Sequence, residues 1–185
     1  LNRVTIIDGW CSPADVADAN DRWPFHHAGW FYYHDEHSRK ATLANWKAFA
    51  PVHCRLLSRL GREFSAGSVP DFDLWGAGLC EMGDGDFLAE HLDHETHPHL
   101  GMRRTHNAIL FLGGDGPLVV GRGEAAVRVE PVPGRVCLFD MTEEAFHRVD
   151  AVKGRRRTLS VYFYDPAGWT DPELAGRTRA EFTAA

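Results

Sequence analysis

The chain has 185 residues, 44% hydrophobic and 25% charged, with a formal net charge of -6; this is the profile of one ordinary globular domain, long enough to bury a core without staples. An acidic chain whose one basic cluster is KGRRR at 153–157 excludes a general nucleic-acid surface, which needs a basic face against phosphate. There is no signal-peptide pattern and no apolar run near 18 residues, so the expectation is a cytoplasmic protein without a membrane span.

In chain order, RVTIIDGW reads as a short strand, and Ser12-Pro13 with Asp15 in the first turn signals a helix over PADVADAND. The aromatic segment AGWFYY reads as a strand, after a break at Trp23-Pro24. From about Thr42 to Arg62 the pattern is helical, with Leu56, Leu57 and Leu60 on one face and Pro51 marking a break or a second start. Residues 1–70 are thus expected as a helical support with a strand or two and a candidate substrate lid. From Asp73 the character changes to short apolar runs between Gly, Pro and Asp turns: LWGAGLCEM, FLAEHLD, HNAILFL, PLVVG, AAVRVEP, RVCLFD, AFHRVD and RTLSVYFY. Eight such strands over residues 73–165 suggest a double-stranded β-helix, a jelly roll of the cupin kind, packed against the N-terminal helical layer. The last segment, 166–185 with DPELAGRTRAEF, is expected to be a surface helix, which makes the whole a single domain. Cys11, Cys54, Cys80 and Cys137 are scattered, without a C-x-x-C pair, and are expected as reduced thiols.

Within FLAEHLDH, His91 and Asp93 are two residues apart, so in an extended strand both point to one side. His147, in a later strand-like run, is the candidate third ligand. Two histidines and one carboxylate on one face of a metal, with open positions opposite, suit a non-haem Fe(II) oxygenase. An H-x-D/E pair alone is weak evidence, and roughly one or two arise by chance in such a chain. His34 and Glu36 form a rival pair, but nothing comparable to His147 and Arg156 follows them.

MGDGDFLAEHLDH, THNAILFLGGDGPLVV, VEPVPGRVCLFD and FHRVDAVKGRRRTLSVYFYD together resemble the successive blocks of the prolyl-hydroxylase-like Fe(II)/2-oxoglutarate-dependent dioxygenases. The resemblance covers the last three fifths of the chain. It implies that His91, Asp93 and His147 ligate iron and that a basic residue on the last strand binds the distal carboxylate of 2-oxoglutarate. Of the three adjacent arginines, alternation favours Arg156, which shares a polar face with Thr158, Ser160 and Tyr162, whereas Arg157 shares one with Leu159, Val161 and Phe163. A guanidinium suits a carboxylate because its planar fork makes two parallel hydrogen bonds. Ser160 is a candidate further contact, and Asn107, Ile109 and Phe111 are candidate pocket walls. His94, His97 and His99 belong either to a loop over the metal or to a solvated loop, Arg103 and Arg104 to an anion site or an exposed strand entry. His26, His27 and Tyr33 are candidate pocket residues.

The activity implied is hydroxylation of an unactivated C–H bond, with Fe(II) and 2-oxoglutarate as cofactors, O2 as co-substrate, and succinate and CO2 released. The carboxylate at Asp93 argues against halogenation, for which relatives carry a small residue there. A small-molecule substrate leads; a peptidyl (prolyl-type) hydroxylase and a non-catalytic cupin-like metal-binding protein are the alternatives.

Overall fold

The computed structural model describes residues 4–169 and 181–183. β1 (Val4–Ile7) leads into α1 (Pro13–Asp21), where the Ser12 hydroxyl accepts the Asp15 N–H at 3.1 Å and Pro13 takes the first turn. These are the capping residues that start helices, because they satisfy or remove orphan N–H groups. β2 (Phe31–His34) and β3 (Arg39–Leu43) form an antiparallel hairpin, a 3-10 turn covers Trp46–Ala48, and α2 spans Pro51–Glu63.

The helix expected from Thr42 therefore begins only at Pro51. Thr42 and Leu43 pair instead with Cys80 and Leu79, and a proline without an N–H fits a helix start better than its interior. Leu56, Leu57 and Leu60 are buried on one face of α2, as their spacing predicts. Three strands in the first third, where a strand or two were expected, make it part of the sheet as well as its support.

β4 (Val69–Pro70) is followed by β5 (Gly78–Met82), β6 (Leu88–Leu92), β7 (Met102–Gly113), β8 (Leu118–Val120), β9 (Val127–Val129), β10 (Val136–Asp140), β11 (His147–Val149), β12 (Arg156–Trp169) and β13 (Glu181–Phe182). β5 to β12 correspond one to one with the eight strands read from the sequence. The surface helix expected over 166–185 is corrected where the chain is described: β12 continues to Trp169, pairing with Met102, and β13 pairs with β6. Cross-strand hydrogen bonds there override a local helical pattern. Residues 170–180 and 184–185 of that expectation lie outside the described residues.

The strands form two antiparallel sheets of a jelly roll. The larger runs β1-β10-β7-β12-β5-β3-β2, with β4 also on β12, and the smaller runs β13-β6-β11-β8-β9. One apolar core lies between the helices and the large sheet, where Leu56, Leu57, Leu60, Leu159, Val161 and Phe163 meet; a second, with Phe111, Leu118, Val120, Phe139 and Val149, lies between the sheets. Each of the buried leucines contributes on the order of 2 kcal/mol through removal from water. Gly114, at φ 118°, lets the β7–β8 turn press against the Arg155 carbonyl; a Cβ there would collide with it. That close approach seats the start of β12. Among the described residues, no helix is long and apolar enough to cross a membrane.

Candidate active site

β6 and β11 are neighbours in the small sheet, with His147 directly opposite His91. Each imidazole is fixed by its own segment: His91 Nδ1 donates to the Ala89 carbonyl and His147 Nδ1 to the Ala145 carbonyl, both at 2.9 Å. A carbonyl oxygen can only accept, so in the neutral rings Nδ1 carries the proton and Nε2 presents a lone pair. Asp93, just beyond β6, faces both lone pairs, with Oδ1 3.4 Å from His91 Nε2 and Oδ2 3.5 Å from His147 Nε2. All three are buried, and their ligand atoms lie within 4.8 Å of one another, a grouping able to hold a metal ion.

Burial alone would raise the Asp93 carboxyl, but in the metal-free site the charge and hydrogen bonds of the two imidazoles in their protonated form, His147 first, outweigh it and hold the group well below the usual carboxylate range. Burial, helped by His147, pushes His91 down, which favours the neutral, ligating form. The Tyr162 hydroxyl donates to Asp93 Oδ2 at 2.7 Å; burial and then the Asp93 charge push that phenol well above its ordinary value, so it stays a donor. Beneath it lies Arg104, whose guanidinium stacks 3.3 Å from the Tyr162 ring centre, sits 3.7 Å from Asp93 Oδ2 and donates to Tyr164 Oη at 3.0 Å and to His94 Nε2. The exposed strand entry read at Arg103 and Arg104 thus holds for Arg103 alone, because Arg104 points inward on the alternating strand and is buried.

Behind the triad is a chamber of about 70 Å³ bounded by Arg156, Thr158, Ser160 and Tyr162 of β12, Asn107 and Ile109 of β7, and Cys80 and Met82 of β5. Arg156 is buried, its guanidinium beside the Met82 sulfur (3.7 Å) and the Phe111 ring (5.2 Å) with the Cys80 and Cys137 thiols nearby, and its Nε has no hydrogen-bond partner among the described residues. Burial lowers its pKa from the ordinary value. Arg157 points the other way, pairing with Glu81 at 2.7 Å and Asn20 Oδ1 at 3.0 Å between Trp23 and Phe25. Asn107 and Ser160 reach the chamber. Phe111 does not; it is fully buried and backs the Arg156 guanidinium.

The chamber opens into a cleft of about 660 Å³ over His91 and Asp93, walled by the β2–β3 hairpin, the 73–77 loop and Phe182. Asp71 holds that loop by accepting the N–H groups of Asp73 (2.9 Å), Leu74 (3.1 Å) and Trp75 (2.9 Å), which stabilises Leu74 at φ 56°. Sequence reasoning passed over Lys40, Thr42, Trp75 and Phe182 in these walls; their one signal was alternation in the hairpin, which puts Lys40 and Thr42 on one face.

Of the loop histidines, His94 lines the cleft; His97 is buried and accepts the His99 and Leu100 N–H groups at 3.2 and 3.1 Å; His99 is exposed. Asp71, Asp73 and His97 form a second grouping of ligand-type atoms, but Asp71 there serves the loop backbone. Tyr33 lines the cleft, whereas His26 and His27 do not. The rival pair His34 and Glu36 is exposed.

Residues 77–164 match the family model described as the 2OG-Fe(II) oxygenase superfamily, a span holding the triad and Arg156. No curated protein gives a significant match to the whole sequence. Among solved structures, a Pseudomonas putida prolyl-4-hydroxylase is similar at 18% identity and TM-score 0.65, over 87% of this chain and 91% of that one. A Trichoplax adhaerens prolyl hydroxylase in complex with a hypoxia inducible factor peptide is similar at 13% and 0.61, over 89% and 84%. HygX from Streptomyces hygroscopicus, with nickel, 2-oxoglutarate and hygromycin B bound, is similar at 14% and 0.56, over 96% and 92%. At these identities the likeness is one of fold.

Proposed function

We propose that this chain, whose residues 77–164 match the 2OG-Fe(II) oxygenase superfamily, is an oxygenase that hydroxylates an unactivated C–H bond of a small molecule, with His91, Asp93 and His147 as the iron ligands and Arg156 as the residue for the distal carboxylate of 2-oxoglutarate. The observation that carries this reading is the convergence of two imidazole lone pairs and a carboxylate on one point, beside a buried guanidinium that has no carboxylate partner among the described residues. The donor set fits Fe(II), which imidazole and carboxylate ligands suit. The Arg156 guanidinium fits an anion, because a buried cation is stable only when paired. When bound, Fe(II) with 2-oxoglutarate and O2 supplies the oxidising power, with succinate and CO2 as the by-products.

The protein's own part is positional. The Ala89 and Ala145 carbonyls keep both imidazoles in the ligating tautomer, and the Tyr162 hydroxyl holds one carboxylate oxygen so that Asp93 keeps its orientation. The β12 face, with Arg156 at one end and Ser160 and Tyr162 further along, fixes the co-substrate's direction in the chamber, and Asn107 offers an unpartnered Oδ1 beside it. The chamber's small volume keeps bulk water from the reacting atoms. The cleft then presents one substrate carbon to the metal, and this placement selects the bond.

A small molecule is favoured because a walled cleft of about 660 Å³ lies within the range that metabolite-sized ligands fill. The similar folds include one protein with a bound peptide and one with hygromycin B, so fold alone does not decide. A cytoplasmic setting is consistent with four free cysteines. The test is succinate formation by anaerobically purified protein given Fe(II), 2-oxoglutarate and then O2, with panels of small molecules and peptides. Acceleration by a small molecule supports the reading, acceleration by peptides alone replaces it with a peptidyl hydroxylase, and failure to bind either cofactor leaves a non-catalytic binding protein. Asp93→Ala should abolish turnover while the far-UV spectrum is retained.

A further inference from the structure

The hairpin register puts Tyr33 opposite Lys40 and Phe31 opposite Thr42, so one face of β2–β3 presents an aromatic pair, a cation and a hydroxyl to the cleft. Lys40 and Thr42 border both the cleft and the inner chamber, which places them at the throat between the two. Among the described residues lining the cleft, Lys40 is the one Lys or Arg, and no carboxylate of the described residues lies within 4.0 Å of its ammonium, which sits 5.0 Å from the Tyr33 ring centre and close enough to His91 for its charge to be felt there. The other cations around the metal site are engaged or lie deeper: Arg104 with Tyr162 and Tyr164, Arg157 with Glu81, and Arg156 inside the chamber.

Of the other cleft carboxylates, Asp35 Oδ1 accepts from His37 N, Ser38 N and Ser38 Oγ at 2.8, 2.7 and 3.2 Å, and Asp73 is exposed. Neither neutralises Lys40. Beyond the throat the walls are apolar and open, with Phe31 61% and Trp75 43% exposed, and Phe182 stacks on the outer side of His91 at 5.2 Å. Rings of that size left in water suit an apolar partner laid against them.

We propose that the cleft takes a carboxylate-bearing small molecule, its carboxylate anchored by Lys40 at the throat and its apolar body lying against Phe31, Trp75 and Phe182. This rests on the oxygenase reading and goes beyond it by naming the substrate's chemistry. A compact anion at the throat meets a point charge with three donors, and the aromatic walls hold the remainder, so an unmodified carboxylate should bind better than its neutral amide.

The test uses the full chain loaded anaerobically with Fe(II) and 2-oxoglutarate, titrated calorimetrically with matched pairs: 3-phenylpropionic acid and its amide, and N-acetylphenylalanine and its amide. The acids should bind at least about tenfold more tightly than the amides. Lys40→Gln should remove that preference and Lys40→Arg should retain most of it. Equal affinity for acids and amides, no binding of the acids, or a preference that survives Lys40→Gln would each overturn the proposal. So would a Lys40→Gln variant whose main defect is in 2-oxoglutarate binding, which would assign the ammonium to the co-substrate. Wild-type protein that fails to bind 2-oxoglutarate would instead remove the reading on which the proposal rests.

Discussion

Arg156 and Arg157 are adjacent and chemically identical, yet their surroundings make their removal read out in different experiments. Arg156 faces the chamber with an unpartnered Nε; Arg157 faces the helices and is bonded to Glu81 and Asn20. Arg156→Ala should therefore raise the KM for 2-oxoglutarate by about 10- to 100-fold, the loss expected for a charge-assisted hydrogen bond, with a small change in urea midpoint. Arg157→Ala should do the reverse, costing about 1–3 kcal/mol of stability with KM nearly unchanged. Steady-state kinetics and urea unfolding of both variants decide it. If Arg157→Ala is the one that damages KM, the functional face of β12 is displaced by one residue.

At the scale of elements, His53 joins α1 to α2. It is fully buried, its Nδ1 accepts the Ala50 N–H at 3.2 Å, and its Nε2–H donates to the Ala19 carbonyl at 2.9 Å. Both ring nitrogens are used by the neutral form, and a second proton at Nδ1 would face another N–H. Burial, first among its causes, holds its pKa below the ordinary value. The sign follows directly: below about pH 6.5 the unfolded chain takes up the proton more readily than the folded one. The contribution is thus complete above that pH and falls as pH drops through the folded value. His91, His97 and His106 are lowered as well, again by burial first. Urea midpoints at pH 7.5 and 5.5 should show a marked loss for the wild type and a smaller loss for His53→Gln. Parallel losses in the two proteins would assign the pH dependence to the other histidines.

Across the whole molecule, the two histidines stand on the small sheet while Arg156 and Tyr162 stand on the large one, so a metal with 2-oxoglutarate would tie the sheets together. Ligands that bind only the folded state stabilise it by mass action, about 2.7 kcal/mol at one hundred times Kd. For a chain of this size that is a rise of about 5–10 °C in Tm. Differential scanning calorimetry under argon should show the rise with Fe(II) and 2-oxoglutarate together and little of it with Asp93→Ala. An equal rise in that variant would place the metal elsewhere.

Much of this was legible in the chain itself. Strand alternation and Gly, Pro and Asp punctuation are local, so β5 to β12 and the buried Leu56, Leu57 and Leu60 face could be read directly; the two-residue repeat likewise put His91 beside Asp93 and separated Arg156 from Arg157. What needed tertiary structure was whatever depends on partners distant in sequence. β3 is a strand because Thr42 and Leu43 find Cys80 and Leu79, and β13 is one because Glu181 and Phe182 find Leu92 and His91. Arg104 is buried because Tyr162 and Tyr164, some sixty residues away, close over it. Phe111 is shut out of the chamber by the packing between the sheets. The face of each strand was written in the sequence by the pleat; which other strand that face would meet was decided only when the two sheets closed on each other.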